Sequence, residues 1–232
     1  MEAGIEDRRI TLEVLNQLRH LVQHRRGLVL LFSGGHRFEE LKTVNWADYL
    51  INTKTLELSF LKPEEARELM ERPAPDFKMR YEAGVVDRIL ELTHCQPYLL
   101  QAIGSELVNH LNAQNRMMAT MDDLNVAVEK TLVSAQAYFH HTWAKECTDE
   151  EREVLLALAT GGSEAFDKNW PNQHQAALQS LSRKEVVENE QGGYRLSIEM
   201  FRLWILKTEG WVAQPATVFR APEQSRTSPN FN

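Results

Sequence analysis

The sequence predicts a mainly α-helical chain with a small α/β remnant near its start. Three observations predict it. Apolar residues recur at helical spacing over much of the 232 residues. One short run, Leu28-Val29-Leu30-Leu31-Phe32, is apolar throughout and reads as a strand covered on both faces. Further on, Val186-Val187, Gln191-Gly192-Gly193 and Tyr194-Arg195-Leu196 read as a hairpin with a glycine turn.

Ile10, Val14, Leu15, Leu18, Leu21 and Val22 predict one amphipathic helix over 10–24. Gly27, behind Arg25-Arg26, suits its stop. The strand 28–32 then runs into Ser33-Gly34-Gly35. Residues 36–50 read as short helix and loop, and Thr55 to Leu58 as a short edge or returning strand. Pro63 fits a first helical position, with Glu64 and Glu65 at the positive end, and Arg72-Pro73-Ala74-Pro75 ends that helix. The next helix spans about Glu82 to Leu92 and presents Val85, Val86, Ile89 and Leu90 on one face. Thr93-His94-Cys95-Gln96 is a junction, after which Pro97 opens a helix running through Leu111. Thr120 with Asp123 is a capping signal ahead of Leu124, Val126, Val128 and Leu132. Three helices in this stretch predict a small bundle.

A boundary falls near Cys147. Thr148-Asp149-Glu150-Glu151 is a capping box that opens Val154 to Leu158, stopped by Gly161-Gly162. Residues 163–171 form a short, undefined segment. Gln173 to Leu181 is helical, the hairpin follows, and a last helix carries Phe201, Leu203, Trp204, Ile205 and Leu206. Helix, helix, hairpin, helix over about seventy residues is a winged-helix pattern.

Composition narrows the function. The formal net charge is -7, from 26 basic and 33 acidic side chains. That balance argues against a broad nucleic-acid face. Cys95 and Cys147 read as free thiols of a reducing, cytoplasmic setting. No run of 18 apolar residues occurs, and Met1 to Asp7 has no apolar leader, so no membrane contact is expected. Eight histidines are scattered; His140-His141 are adjacent and diverge on a helix, so no metal site is expected. Trp46, Tyr49 and Trp143 lack interleaved basic residues and read as core or interface aromatics rather than a stacking platform.

Leu28 to Gly34, Leu58 to Leu69 and especially Ile89 to Asn109 carry a likeness. Together they resemble the C-terminal half of signal-transducing AAA+-type ATPases, the STAND class. Thr93-His94-Cys95-Gln96-Pro97-Tyr98-Leu99-Leu100-Gln101 is similar to that family's Thr-Gly-x-Pro-Tyr-Leu-x-Gln segment, with Cys95 where the family has glycine. The resemblance covers roughly residues 10–210. It implies an AAA+-like core fragment over 1–60, a helical lid bundle over 61–147 and a winged-helix domain over 148–210; a disordered tail is expected over 211–232. No Gly-x-x-x-x-Gly-Lys-Ser/Thr loop occurs, so ATP or ADP with Mg is expected only where a phosphate-gripping half is present, and no catalysis is expected of this chain alone.

By resemblance Ser33 would be the first sensor, with Gly34 and Gly35 behind it; Arg37 reads as a phosphate contact or as a surface partner of Glu39 or Glu40. His94, Cys95 and Pro97 would place the lid over the nucleotide, Pro97 opening a helix whose first N–H groups attract anions. Ser33, Arg37 and the Pro97 helix start are expected to line one cleft. Gln173, Gln175, Gln179, Arg183, Lys184 and Arg195 form a candidate docking surface of the winged helix. Glu185, Glu188 and Glu190 offset its charge, which favours a protein partner, or the missing ATPase half, over DNA. The alternatives are a winged-helix interaction scaffold without nucleotide, and a DNA-binding regulator. Oligomeric state stays open.

Overall fold

The computed structural model describes residues 10–25, 27, 29–33, 44–49, 54, 56, 58–161, 169–190 and 193–208. They are mainly helical. The chain divides into two units, Met1–Leu58 and Ser59–Asn232. The tail expected to be disordered, like Gly34, Gly35, Arg37, Glu39 and Glu40, lies outside the described residues.

In the first unit, helix α1 (Leu12–His24) and the single turn α2 (Trp46–Tyr49) meet through Leu15 and Trp46, with Leu18, Phe32, Val44 and Tyr49 packed around them. The expected strand is corrected here. Val29 to Phe32 carry no strand pairing, and Val29 and Leu31 are 91% and 89% exposed. The intervening Leu30 and Phe32 are half-buried. A run apolar on both faces needs cover on both; here alternate side chains find it and the others do not. Leu56 and Leu58, expected in a returning strand, are 69% and 96% exposed, and residues 54, 56 and 58 take no regular conformation.

The second unit is built on one hydrophobic core that runs from Ala66 to Ile205. Helix α3 (Pro63–Glu71) starts at proline, and the Glu65 carboxylate accepts from the Lys62 N–H at 3.1 Å. Helix α4 (Val85–Thr93) starts three residues later than expected, because Gly84 takes φ 84° and Glu82 is drawn into strand pairing. Strands β1 (Arg80–Tyr81) and β2 (Met118–Ala119) form a short parallel ladder that the sequence does not announce. Helix α5 (Pro97–Ala113) buries Leu99, Ile103, Leu107 and Leu111 at every fourth position. Each such side chain contributes about 1.5–3 kcal/mol by burial. Helix α6 (Met121–Ser134) has the expected capping box: Asp123 N–H donates to Thr120 Oγ1 and Thr120 N–H to Asp123 Oδ2. Arg116 Nη2 also reaches that oxygen, at 2.6 Å, and holds the Asp123 carboxyl well below the usual carboxylate range.

Helix α7 (Gln136–His141) passes into a π-helical turn, Thr142–Glu146. Arg152 Nη1 donates to the Trp143 and Cys147 carbonyls, at 3.1 and 2.7 Å, and so fastens the end of that turn. Helix α8 (Asp149–Gly161) begins with the expected box, Thr148 N–H donating to Glu151 Oε2 at 2.7 Å. Gln173 ends a separate turn, α9 (Trp170–Gln173), and does not open the following helix, α10 (Gln175–Arg183); His174, at φ -109° and ψ 22°, breaks the two apart. Strands β3 (Val187–Glu190) and β4 (Gly193–Leu196) are antiparallel, in register from Val187↔Leu196 to Glu190↔Gly193. Helix α11 (Glu199–Thr208) returns to the core. There Phe139 of α7 stacks on Phe201 and Trp204 at 5.9 Å, and Trp143 meets Trp204 edge-on. No described helix is long and apolar enough to cross a membrane.

Candidate functional site

Helix α4 ends because two successive residues turn left-handed: His94 at φ 48° and Cys95 at φ 58°. Neither is glycine, and such conformations cost about 1–3 kcal/mol each unless the surroundings hold them. The surroundings do. Cys95 N–H donates back to the Leu90 carbonyl at 3.3 Å, Gln96 N–H to Thr93 O at 3.0 Å, and Leu61 N–H to Cys95 O at 3.1 Å. Gln96 then caps α5, its Oε1 accepting from Leu99 N–H at 2.8 Å, and Pro97 takes the first helical position. One of the N–H groups read as free for an anion is therefore already engaged by the chain itself.

Around this turn the side chains are specific. The Phe60 ring meets His94 edge-on at 5.1 Å. His94 Nε2 lies 3.9 Å from Glu188 Oε2 on β3, and Glu188 Oε1 lies 2.8 Å from Arg195 Nε on β4. Ser59 Oγ donates to Glu185 Oε1 at 2.7 Å, just ahead of β3. His94, Cys95 and Pro97 are thus joined, and Arg195 of the candidate docking surface sits beside them through Glu188. Sequence reasoning missed Phe60 and Ser59, which nothing in their local pattern marks, and read Glu188 only as offsetting charge.

Cys95 is buried, and burial, with Glu64 nearby, pushes its thiol up. Burial, with Glu151 adding, pushes Cys147 up to about 11. Both are neutral thiols near pH 7 and poor nucleophiles. Among the described residues no group of three His, Cys, Asp or Glu converges to hold a metal.

The candidate docking residues divide. Gln175, Gln179 and Arg183 are exposed and stand four residues apart along one stripe of α10, opposite the buried Ala177, Leu178 and Leu181. Gln173 is exposed on α9. Lys184 is committed inward: its Nζ lies 2.7 and 2.9 Å from the two oxygens of Glu151, which is 3% exposed. Burial alone would raise the Glu151 pKa, but Lys184, the Thr148 N–H and Ser180 together leave it lowered. Ser33 belongs to the first unit, where it is exposed and outside any helix or strand.

Compared with protein-family models, with curated proteins and with solved structures, the chain matches none of them.

Proposed function

We infer that this chain is the non-catalytic sensing and coupling portion of a STAND or AAA+-type ATPase. In this reading, helices α3–α7 are the lid and residues 148–210 a winged helix. ATP or ADP, with Mg, is gripped only together with a half that supplies the phosphate loop. His94, Cys95 and Pro97 contact the nucleotide from the lid side, and Ser33 senses its terminal phosphate.

One observation carries the reading. At the junction before Pro97, Cys95 stands where the family has glycine, and its φ of 58° is the conformation that favours glycine. A second supports it: the order α8, α10, hairpin β3–β4, α11 is the order a winged helix needs. The exposed stripe Gln175, Gln179 and Arg183 carries one positive charge, which fits a protein partner better than the dense phosphates of duplex DNA. Nucleotide would bias the lid only through contacts that differ between its two positions.

The test begins with the reading frame upstream of Met1. A phosphate loop within about 150 residues, a normal domain length, would supply the gripping half in the same polypeptide; otherwise a separate chain must supply it. The joined polypeptide should then bind ADP saturably, and Pro97→Ala should weaken that binding about tenfold, while the present chain alone should hydrolyse no ATP. Absence of saturable ATP or ADP binding with the upstream half restored overturns the reading and leaves the interaction scaffold.

A further inference from the structure

The segment Ser59–Leu61 is the first stretch of the second unit, and each of its residues makes a different attachment. Ser59 is tied to Glu185, Phe60 to the His94 ring, and Leu61 to the Cys95 carbonyl. Glu188 stands beside the circuit, its Oε2 3.9 Å from His94 Nε2 and its Oε1 2.8 Å from Nε of Arg195, opposite it in the ladder. Two parts distant in sequence, Ser59–Leu61 and the hairpin, therefore meet around two left-handed residues. Such a turn keeps its shape only while its neighbours hold it.

We propose that Ser59–Leu61 and Glu188 form a latch that ties the hairpin to the His94–Cys95 turn, so that opening the turn releases the hairpin and displacing the hairpin opens the turn. The occupants are the chain's own residues. Its use as a relay of nucleotide state rests on the function inferred above; the latch itself does not.

Cys95 supplies the probe, because its thiol is buried in the closed turn. In a Cys147→Ala background it is the sole thiol of the chain. Its reaction with 4,4′-dithiodipyridine then reports opening. Glu188→Gln should speed labelling about threefold, since the carboxylate that lies between the His94 ring and Arg195 loses its charge. Phe60→Ala should speed it about tenfold, since the ring's contacts are lost. The two together should exceed Phe60→Ala by less than about twofold, because both release one latch. All rates should be independent of dilute urea, as local opening is. Hydrogen exchange at the β3 amides should rise in Phe60→Ala and in Ser59→Ala, while α6 amides stay protected. Unchanged labelling, rates that multiply independently, or labelling that follows global unfolding overturns the latch. These readouts need no nucleotide, so their failure leaves the ATPase reading in place, and failure of ADP binding leaves the latch in place.

Discussion

Lys184 Nζ lies 2.7 Å from Glu151 Oε1 and also donates to the Glu146 carbonyl at 2.7 Å. One ammonium thus ties the end of α10 to the start of α8 and to the end of the π-helical turn. A residue with the look of a surface cation is a strut.

Lys184→Ala should destabilise the protein by about 2 kcal/mol, because it leaves a buried carboxylate without its counter-charge. The partial exposure of the lysine keeps the cost below that of a fully buried pair. Its neighbour Arg183, exposed on the outer stripe, should cost less than about 0.5 kcal/mol when changed to alanine. Urea denaturation of both variants checks the difference. A loss at Lys184 no larger than at Arg183 would remove the strut.

Asp123 sets an acid limit. Its folded pKa is depressed, chiefly by Arg116 and then by Thr120, so its contribution is present above the unfolded value near 4 and fades as pH falls below it. The urea midpoint should therefore decline between about pH 5 and pH 2, with Glu151 acting in the same direction. Asp123→Asn should lower the midpoint at pH 7 and flatten that decline.

Gly104 sits inside α5, and a methyl group there would stand 3.5 Å from Met70 Cε, an ordinary contact. Gly104→Ala should stabilise the protein by about 0.5–1 kcal/mol through the backbone freedom it removes from the unfolded chain. Thermal and urea unfolding read this directly.

Cys95 should discriminate by backbone rather than by chemistry. Cys95→Gly relieves the left-handed conformation and gives up a small buried side chain, a balance within about 1 kcal/mol of zero. Cys95→Val places a branched residue at positive φ and should cost about 2 kcal/mol or more. Equal losses in the two variants would mean that side-chain volume, not φ, governs the position.

The parts legible in the sequence are those whose cause is local. Thr120 with Asp123 and Thr148 with Glu151 announce their helix starts because both partners lie within one turn. Pro63 and Pro97 do so because a proline ring fits the first helical position. The apolar run Val29 to Phe32 misled because cover is supplied from elsewhere in space, and half of its side chains lack it. The β1–β2 ladder is too short to show a period. Lys184 read as a docking residue because its partner Glu151 is 33 positions away. The left-handed pair His94–Cys95 leaves no mark in its own side chains; the sequence reads there only as a junction ahead of Pro97.

The π-helical turn at Thr142–Glu146 has a consequence for length. Such a turn accommodates one residue more than an α-helix would over the same rise. Deleting a single residue there would let the turn rewind as ordinary α-helix, with the residues on either side keeping their places. The Trp143 and Glu146 carbonyls, which Arg152 and Lys184 now fill, would then be re-aimed away from those two cations. The surplus residue is what aims those carbonyls at the two cations.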